Sequence, residues 1–354
     1  MASVTRQEFE AMVAEVFSDY KESERYKTPL LYLYPELDLS GLDLSGMELH
    51  CLNFDGVNFT DTNLSQCNLY GTSFYGAILH RAVLRDVQVR AGNLSKDWRG
   101  ADFTGADLTG MRLSEVSFNG YYSSSREKVP LENTNKHLRR LYRGSELVVK
   151  FDQAILVDTD LRWMHLEGVS FVGANLTRTK LSYSFFNGAN MQRAILKGAN
   201  IEDVDFTGAN LSHANMNGAS IDNFTKFIDV DLTGAILINV NSEQSDNNPE
   251  MWASKMGPVI MINANCTGAD MRGISFSHVI SKVNFTNADL ARTNFSEISL
   301  SNCDFTGSNL CGADVSSFIE RGKDLILIGA KFDSATKQPD GWFWTRKNKM
   351  IRVD

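Results

Sequence analysis

Carboxylates, imidazoles and thiols are the groups in this chain that could do chemistry, and their spacing decides whether they can. Aspartates such as Asp102, Asp107, Asp205 and Asp270 are plentiful enough for paired-carboxylate acid–base work or a calcium site. Both need convergence on one cleft, whereas these residues recur at a fixed interval that spreads them over a wall. His50, His80, His165, His213 and His278 form no His-x-x-x-His pair of the kind that holds zinc on one helix face. They fall on positions expected to meet solvent. The cysteines, Cys51, Cys67, Cys266, Cys303 and Cys311, are odd in number and include no Cys-x-x-Cys pair. That gives no metal framework and fits a reducing compartment. Cys67, Cys266 and Cys303 are expected in the core, Cys51 and Cys311 outside it. The glycines make neither GxGxxG nor GxxxxGK, the loops that cradle phosphates. The sequence therefore predicts no enzyme, no cofactor and no metal.

Recognition is the chemistry left. In Lys136-His137-Leu138-Arg139-Arg140-Leu141-Tyr142-Arg143 a short expected helix sets Leu138, Leu141 and Tyr142 on one side, with Lys136, Arg139, Arg140 and Arg143 as cations. Near the end of the chain Trp342 and Trp344 precede Arg346, Lys347, Lys349 and Arg352. Aromatics beside cations can stack on nucleic-acid bases or lie at a membrane surface; the commoner arrangement is an aromatic plug with a solvated basic tail. Trp252 stands in a polar, acidic stretch. These eight residues, Lys136, Arg139, Arg140, Tyr142, Arg143, Trp252, Trp342 and Trp344, are the candidate interaction surface.

The elements that position these groups follow from a period of five. From Leu37 the chain reads LDLSG LDLSG MELHC LNFDG VNFTD, and the frame returns in three blocks, with about 46 units in all. The central residue i of each unit is apolar, usually Leu or Phe. Position i−2 is small or aliphatic, as at Ala101, Ala174, Ala189, Ala209 and Ala288, and i−1 is commonly Asp or Asn. Most of the 26 glycines stand at i+2. Residues two apart in extended backbone share a face, so i−2 and i point inward and i−1 outward. The polar, glycine-rich pair i+1 and i+2 makes a bend. A spacing of five smears its apolar face around an α-helix. The chain must coil instead, stacking successive coils about 4.8 Å apart around a packed lumen.

This A(D/N)LXX pattern resembles the pentapeptide-repeat family over roughly residues 37–120, 154–240 and 259–334. The resemblance implies an all-β repeat solenoid, a right-handed quadrilateral β-helix with four units per coil. On that basis there are about 11–12 coils, with a rod length of roughly 50–55 Å at the strand spacing.

The remaining segments divide the chain. Residues 1–36 are expected to be a helical cap: Thr5-Arg6-Gln7-Glu8 has capping-box form, and Phe9, Val13, Val16, Phe17 and Tyr20 make one apolar stripe. Blocks 37–120, 154–240 and 259–334 are separated by a basic insertion at 121–153 and a polar loop at 241–258, and residues 335–354 form the aromatic and basic tail. Long loops on a regular scaffold tend to carry function, and the basic insertion is the first place to look.

Composition narrows the function. The 354 residues carry a formal net charge of −8 and no long apolar run, which excludes a spanning helix and argues against wrapping nucleic acid. The opening Met-Ala-Ser-Val-Thr-Arg-Gln-Glu lacks the form of a secretory signal, so a soluble, cytoplasmic, bacterial protein is expected. The leading expectation is a non-catalytic protein-interaction scaffold with a protein partner of unknown identity, without direct nucleic-acid contact. A homodimer through a solenoid end is one form this could take. The resemblance also implies an alternative, mimicry of DNA on a type II topoisomerase such as gyrase. Against it, a duplex of that length would carry about 30 phosphate charges, and Arg81, Arg85, Arg90, Lys96 and Arg99 interrupt the acidic run. A bacterial effector acting in a host cell is a further alternative.

Overall fold

The computed structural model describes residues 4–25, 27–87, 89, 97–113, 116, 118, 148–222, 224–238, 240, 260–276, 278–296, 298–318, 322–339, 342–344 and 350–352. Two compact units divide the chain, Met1–Asn175 and Leu176–Asp354. Each is a right-handed quadrilateral β-helix.

In the first unit, parallel bridges join residues one coil apart: Asp38 to Asn58, Asp43 to Asn63, Glu48 to Asn68 and Asn53 to Ser73. The interval is 20 residues, as in the Asn63–Asp43 pair, so four five-residue units close one coil and the four ladders define four walls. The Leu39 N–H donates to the Asn58 carbonyl, and Asn63 N–H to the Leu42 carbonyl, so the bonds run between coils. Within a coil the Leu42 N–H closes a turn on the Leu39 carbonyl. That turn needs a positive φ at its second central residue, here Gly41 at +73°.

The corner geometry outruns glycine. Among the described residues twenty glycines have positive φ, and so do twenty others, including Arg81, Trp163, Tyr183 and His213. The coil imposes the left-handed corner whatever side chain stands there.

Inside, the i and i−2 residues are mostly buried, with Leu42, Leu327 and Phe332 half-buried, and the central phenylalanines stack along the axis. Phe103 and Phe151 lie 5.0 Å apart at 9°, as do Phe151 and Phe171 at 12°. Two lumen residues of this column stand at breaks in the sequence frame. Trp98 is fully buried between Phe74 and Phe103, and its indole N–H donates to the Thr72 carbonyl at 3.1 Å. Phe151 is also fully buried.

Ladder residues also shift three of the boundaries expected from sequence. Val149 and Phe151 are buried and Lys150 bridges Asp102 and Ser170, so residues 149–153 belong to the solenoid rather than to the insertion. Pro29 bridges Asn53, and Lys337 bridges Asp314, so pairing begins before residue 37 and continues past 334. Phe151 stands five residues before Leu156 with Val149 two before it, so the five-residue pattern already reached 149, whereas Pro29 pairs outside any such pattern. The coil containing the insertion still closes, with Asp102 and Lys150 side chains meeting 48 residues apart.

Helix α1 (Arg6–Asp19) starts at a Thr5–Glu8 capping box and buries Phe9, Val13 and Val16. Phe9 meets Phe54 at 6.3 Å, and the Arg6 guanidinium donates to the Asp43 and Ser45 carbonyls at 3.0 and 3.2 Å. The helix thus covers apolar lumen and engages edge carbonyls of the early coils. Short helices α2 (Glu22–Arg25) and α3 (Leu30–Leu33) follow.

In the second unit one wall widens into a five-stranded parallel sheet: β1 (Lys226–Ile228), β2 (Ile260–Ile262), β3 (His278–Ser281), β4 (Ile298–Ser301) and β5 (Gly322–Lys323), in that order. We call it the fourth wall, and the wall of Lys180, Asn200, Ser220, Ser275, Asn294 and Asp314 the third. Coil length changes repeatedly where the third turns into the fourth. Asp205 lies 20 residues after Phe185, but Lys226 lies 21 after Asp205. Further on, Ser275 to Val279 is one residue short, while Asp314 to the start of β5 is long. A hairpin pair, β6 (Trp342–Trp344) with β7 (Met350–Arg352), runs antiparallel.

Candidate interaction surface

The outward wall positions are where a partner would be met, and their side chains are mostly engaged in the fold. At i−1, Asp or Asn accepts from the N–H two residues on: Ser40 N to Asp38 at 2.9 Å, Thr104 N to Asp102 at 3.1 Å, Thr207 N to Asp205 at 3.0 Å, Thr286 N to Asn284 at 2.9 Å. These are Asx turns, the local alternative to a ladder bond that Asp and Asn offer readily. This explains the recurrence of the aspartates without any catalytic role.

Several wall and corner carboxylates are also paired with cations. Asp61 holds Arg81 at 2.6 Å, Asp97 holds Arg99 at 2.7 Å, Asp160 holds Arg162 at 2.7 Å and Asp107 accepts from Arg85 Nε at 2.7 Å. Asp102 takes Lys150 at 3.3 Å and His80 at 3.2 Å. In the second unit Asp205 meets Lys226 at 3.1 Å, Asp270 meets Arg272 at 2.8 Å and Asp314 meets Lys337 at 2.9 Å. Arg81, Arg85 and Arg99, a basic cluster in sequence, are therefore each matched by a carboxylate. Burial pushes the Asp107 carboxyl up, but Arg85 and the Thr109 hydroxyl and amide outweigh it and hold the group below the usual carboxylate range.

The histidines and cysteines stay apart. His165 lies 2.9 Å from Glu167 in a His-x-Glu pair with no Cys-x-x-Cys beside it. Among the described residues no group of three or more His, Cys, Asp or Glu could hold a metal ion. Cys67, Cys266 and Cys303 are buried as expected, and burial pushes the Cys67 thiol up to about 11. Cys51 is a correction: expected outside, it is fully buried. Residues 52–57 beside it are buried too, so this stretch of wall is covered where the five-residue rule leaves a wall open.

Lys136, Arg139, Arg140, Tyr142, Arg143 and Trp252 lie outside the described residues, as do the side chains of Trp342 and Trp344. For these two tryptophans the backbone alone is placed: Trp342 pairs with Arg352 and Trp344 with Met350. Sequence reasoning missed another outward group, the exposed Tyr183, Phe185 and Phe224. The available signal was an aromatic at i+2 and another at i−1, where the repeat prefers Gly and Asp or Asn.

With a five-residue period, four walls and left-handed corners established, the comparisons with known proteins agree. The model of the family "Pentapeptide repeats" matches residues 36–66, 48–90, 96–120, 154–193, 186–223 and 280–316. The chain belongs to the pentapeptide-repeat family. Among solved structures it is similar to QnrB1, a plasmid-mediated fluoroquinolone resistance protein, at 18% identity over 52% of this chain and 89% of that one, TM-score 0.30. It is similar to a pentapeptide-repeat protein of the Arabidopsis thaliana thylakoid lumen at 31% identity, over 31% and 66% of the two chains, TM-score 0.25. HetL, involved in heterocyst differentiation regulation in Nostoc sp. strain PCC 7120, is 19% identical over 95% and 100%, TM-score 0.22. No curated protein matches the chain. Among the described residues no helix is long and apolar enough to cross a membrane.

Proposed function

We propose that this repeat scaffold is non-catalytic and binds a protein partner through its walls and through the basic insertion that follows Phe118. The observation carrying this reading is the use of the wall carboxylates. Many close Asx turns, and several, among them Asp61, Asp107, Asp160 and Asp270, pair with Arg on the wall, so the anionic charge is broken up rather than continuous. A surface imitating DNA needs many unpaired anionic groups in a row, and this pairing weighs against the topoisomerase alternative. The insertion supports the reading because the coil closes across it, as in the Asp102–Lys150 pair, which leaves the intervening residues unnecessary to the ladder.

The test is an affinity pull-down from native host lysate with the intact chain and with a chain lacking residues 120–147. That deletion restores the ordinary coil interval between Asp102 and Lys150. A protein retained by the intact chain and lost with the deletion supports the proposal. Recovery of a type II topoisomerase, with gyrase supercoiling altered by the purified chain, would replace it with the mimicry reading. If neither chain retains any protein, the interaction reading fails for that host.

A further inference from the structure

Three aromatic residues break the habits of the repeat on one corner of the second unit, where the third wall turns into the fourth. Tyr183 holds the left-handed corner at φ +64°, a conformation that for a bulky residue is an outlier, disfavoured by about 1–2 kcal/mol. Phe185 occupies the outward position where Asp or Asn commonly closes an Asx turn and where the other apolar residues are aliphatic, as at Ile155 and Ile195. Phe224 stands where the coil is one residue long. They are 42%, 41% and 58% exposed, so burial returns only part of what a glycine or an asparagine would contribute there. Departures from local rules that gather in one place without full burial mark a surface kept for contact.

Charge decides what that contact is. Parallel bridges from Phe185 to Asp205 and from Asp205 to Lys226 place one coil between the outer two. That middle coil carries Glu202 and Asp203, and Asp222 lies beside them, accepting from the Asp203 N–H at 2.8 Å. Of the cations near this coil, Lys226 is taken by Asp205 at 3.1 Å, and Lys180 stands exposed on the third wall, where it bridges Asn200. Among the described residues the Asp203 carboxylate receives no hydrogen bond, and burial together with Asp222 pushes its carboxyl above the ordinary value. Coils about 4.8 Å apart put the outer aromatics about 10 Å apart along the axis, with the acidic coil between them.

We propose that this corner binds an extended, arginine-bearing segment of a protein partner. Guanidinium groups would lie on Tyr183, Phe185 and Phe224 and pair with Glu202, Asp203 and Asp222. A guanidinium stacks on aromatic faces and forks onto carboxylates, whereas an ammonium is more strongly hydrated and acts as a point charge. The same wall continues with half-buried Ile228 and Ile262 and with Val279, 47% exposed, a track for the apolar residues of the same segment. The proposal rests on the scaffold reading and supplies the chemistry of its partner.

Fluorescein-labelled nona-arginine, titrated against the full chain by anisotropy, tests it, with nona-lysine and nona-glutamate as comparators. Nona-arginine is expected to bind at least about tenfold more tightly than nona-lysine, and nona-glutamate not at all. The double variant Phe185→Asn, Phe224→Ser brings the arginine affinity down to the lysine level, and Asp203→Asn weakens both. Phe185→Asn installs a side chain the repeat favours, and melting curves confirm that the variants fold; Tyr183→Gly is a second aromatic deletion on the same logic. Equal affinities for the two cationic peptides, binding that survives loss of the aromatics, or no binding would overturn the assignment. If nona-arginine does not bind while the lysate partner is still captured, the corner is wrong and the scaffold reading stands.

Discussion

The hydroxyl of Thr62 donates to the carbonyl oxygen of Leu39 at 2.7 Å across 23 residues, fully inside the lumen. The same bond recurs at four other i−2 threonines: Thr72 to Leu49 at 3.1 Å, Thr159 to Leu108 at 3.0 Å, Thr225 to Ile201 at 2.9 Å, Thr336 to Leu310 at 3.1 Å. A polar atom thus enters the core because the neighbouring coil offers it a carbonyl. Ser308 is the contrast, a buried hydroxyl with no hydrogen-bond partner among the described residues. Thr62→Val should lower stability by about 1 kcal/mol, whereas Ser308→Ala should leave it unchanged or raise it. Denaturant melts of the two variants check this; equal losses would contradict it.

The corners make a steric prediction. A Cβ on Gly234 would sit 2.6 Å from His213 Nδ1, while one on Gly218 would meet nothing. Both glycines have positive φ, so alanine at either is disfavoured by about 1–2 kcal/mol. Gly234→Ala should therefore destabilise more than Gly218→Ala. Adding His213→Ala should remove the difference, which a double-mutant cycle would measure.

Phe206 lies between Phe186 at 5.6 Å and Phe227 at 5.5 Å and is fully buried. Phe206→Ala should lower stability by about 3–5 kcal/mol. Phe206→Asp would bury a charge without a partner and should unfold the coils around it. A wild-type melting curve for the aspartate variant would contradict the inward placement of the central residue.

Acid should loosen the walls. Asp107, Asp205 and Asp314 are pushed up by burial, yet hydrogen bonds from Thr109, Thr207 and Ser316 and from Arg85, Lys226 and Lys337 hold them below the usual range. A depressed folded pKa contributes stability that is present above the unfolded value, near about 3.9, and is lost as pH falls through the folded value. The melting midpoint should thus fall below about pH 4. Asp203 has the opposite sign, since burial and Asp222 raise it. Asp203→Asn should raise the midpoint at neutral pH, with the gain shrinking in acid.

Much of this fold was legible because the period is short and repeats often: a single inward pair and a single bend, copied many times, require a stacked coil, while its four sides came from the family resemblance. What escaped was set by the next coil rather than by the unit itself. Trp98 and Phe151 stand five residues before Phe103 and Leu156, on the frame but at the edges of the breaks in the period, where a single unit has no preceding unit to mark it. Cys51 obeys the corner geometry and is buried all the same, because a wall's exposure depends on what lies over it. The surface was less legible still. The basic run and the tryptophans stand out by composition, whereas Tyr183, Phe185 and Phe224 emerge only once each has a wall and a coil.

The changes of coil length at the corner before the fourth wall of the second unit have a consequence for how such a chain can be altered. Inside a regular wall, an added residue would turn that wall's inward side chains outward, whereas additions between walls are absorbed, as between Ile78 and Asp102 in the first unit. At this corner the backbone absorbs an addition or a deletion, and parallel pairing resumes on the next strand, as Lys226 and Ile260 show. It is a seam in the fabric: a place where a foreign peptide could be spliced in and displayed while the weave on either side keeps its count.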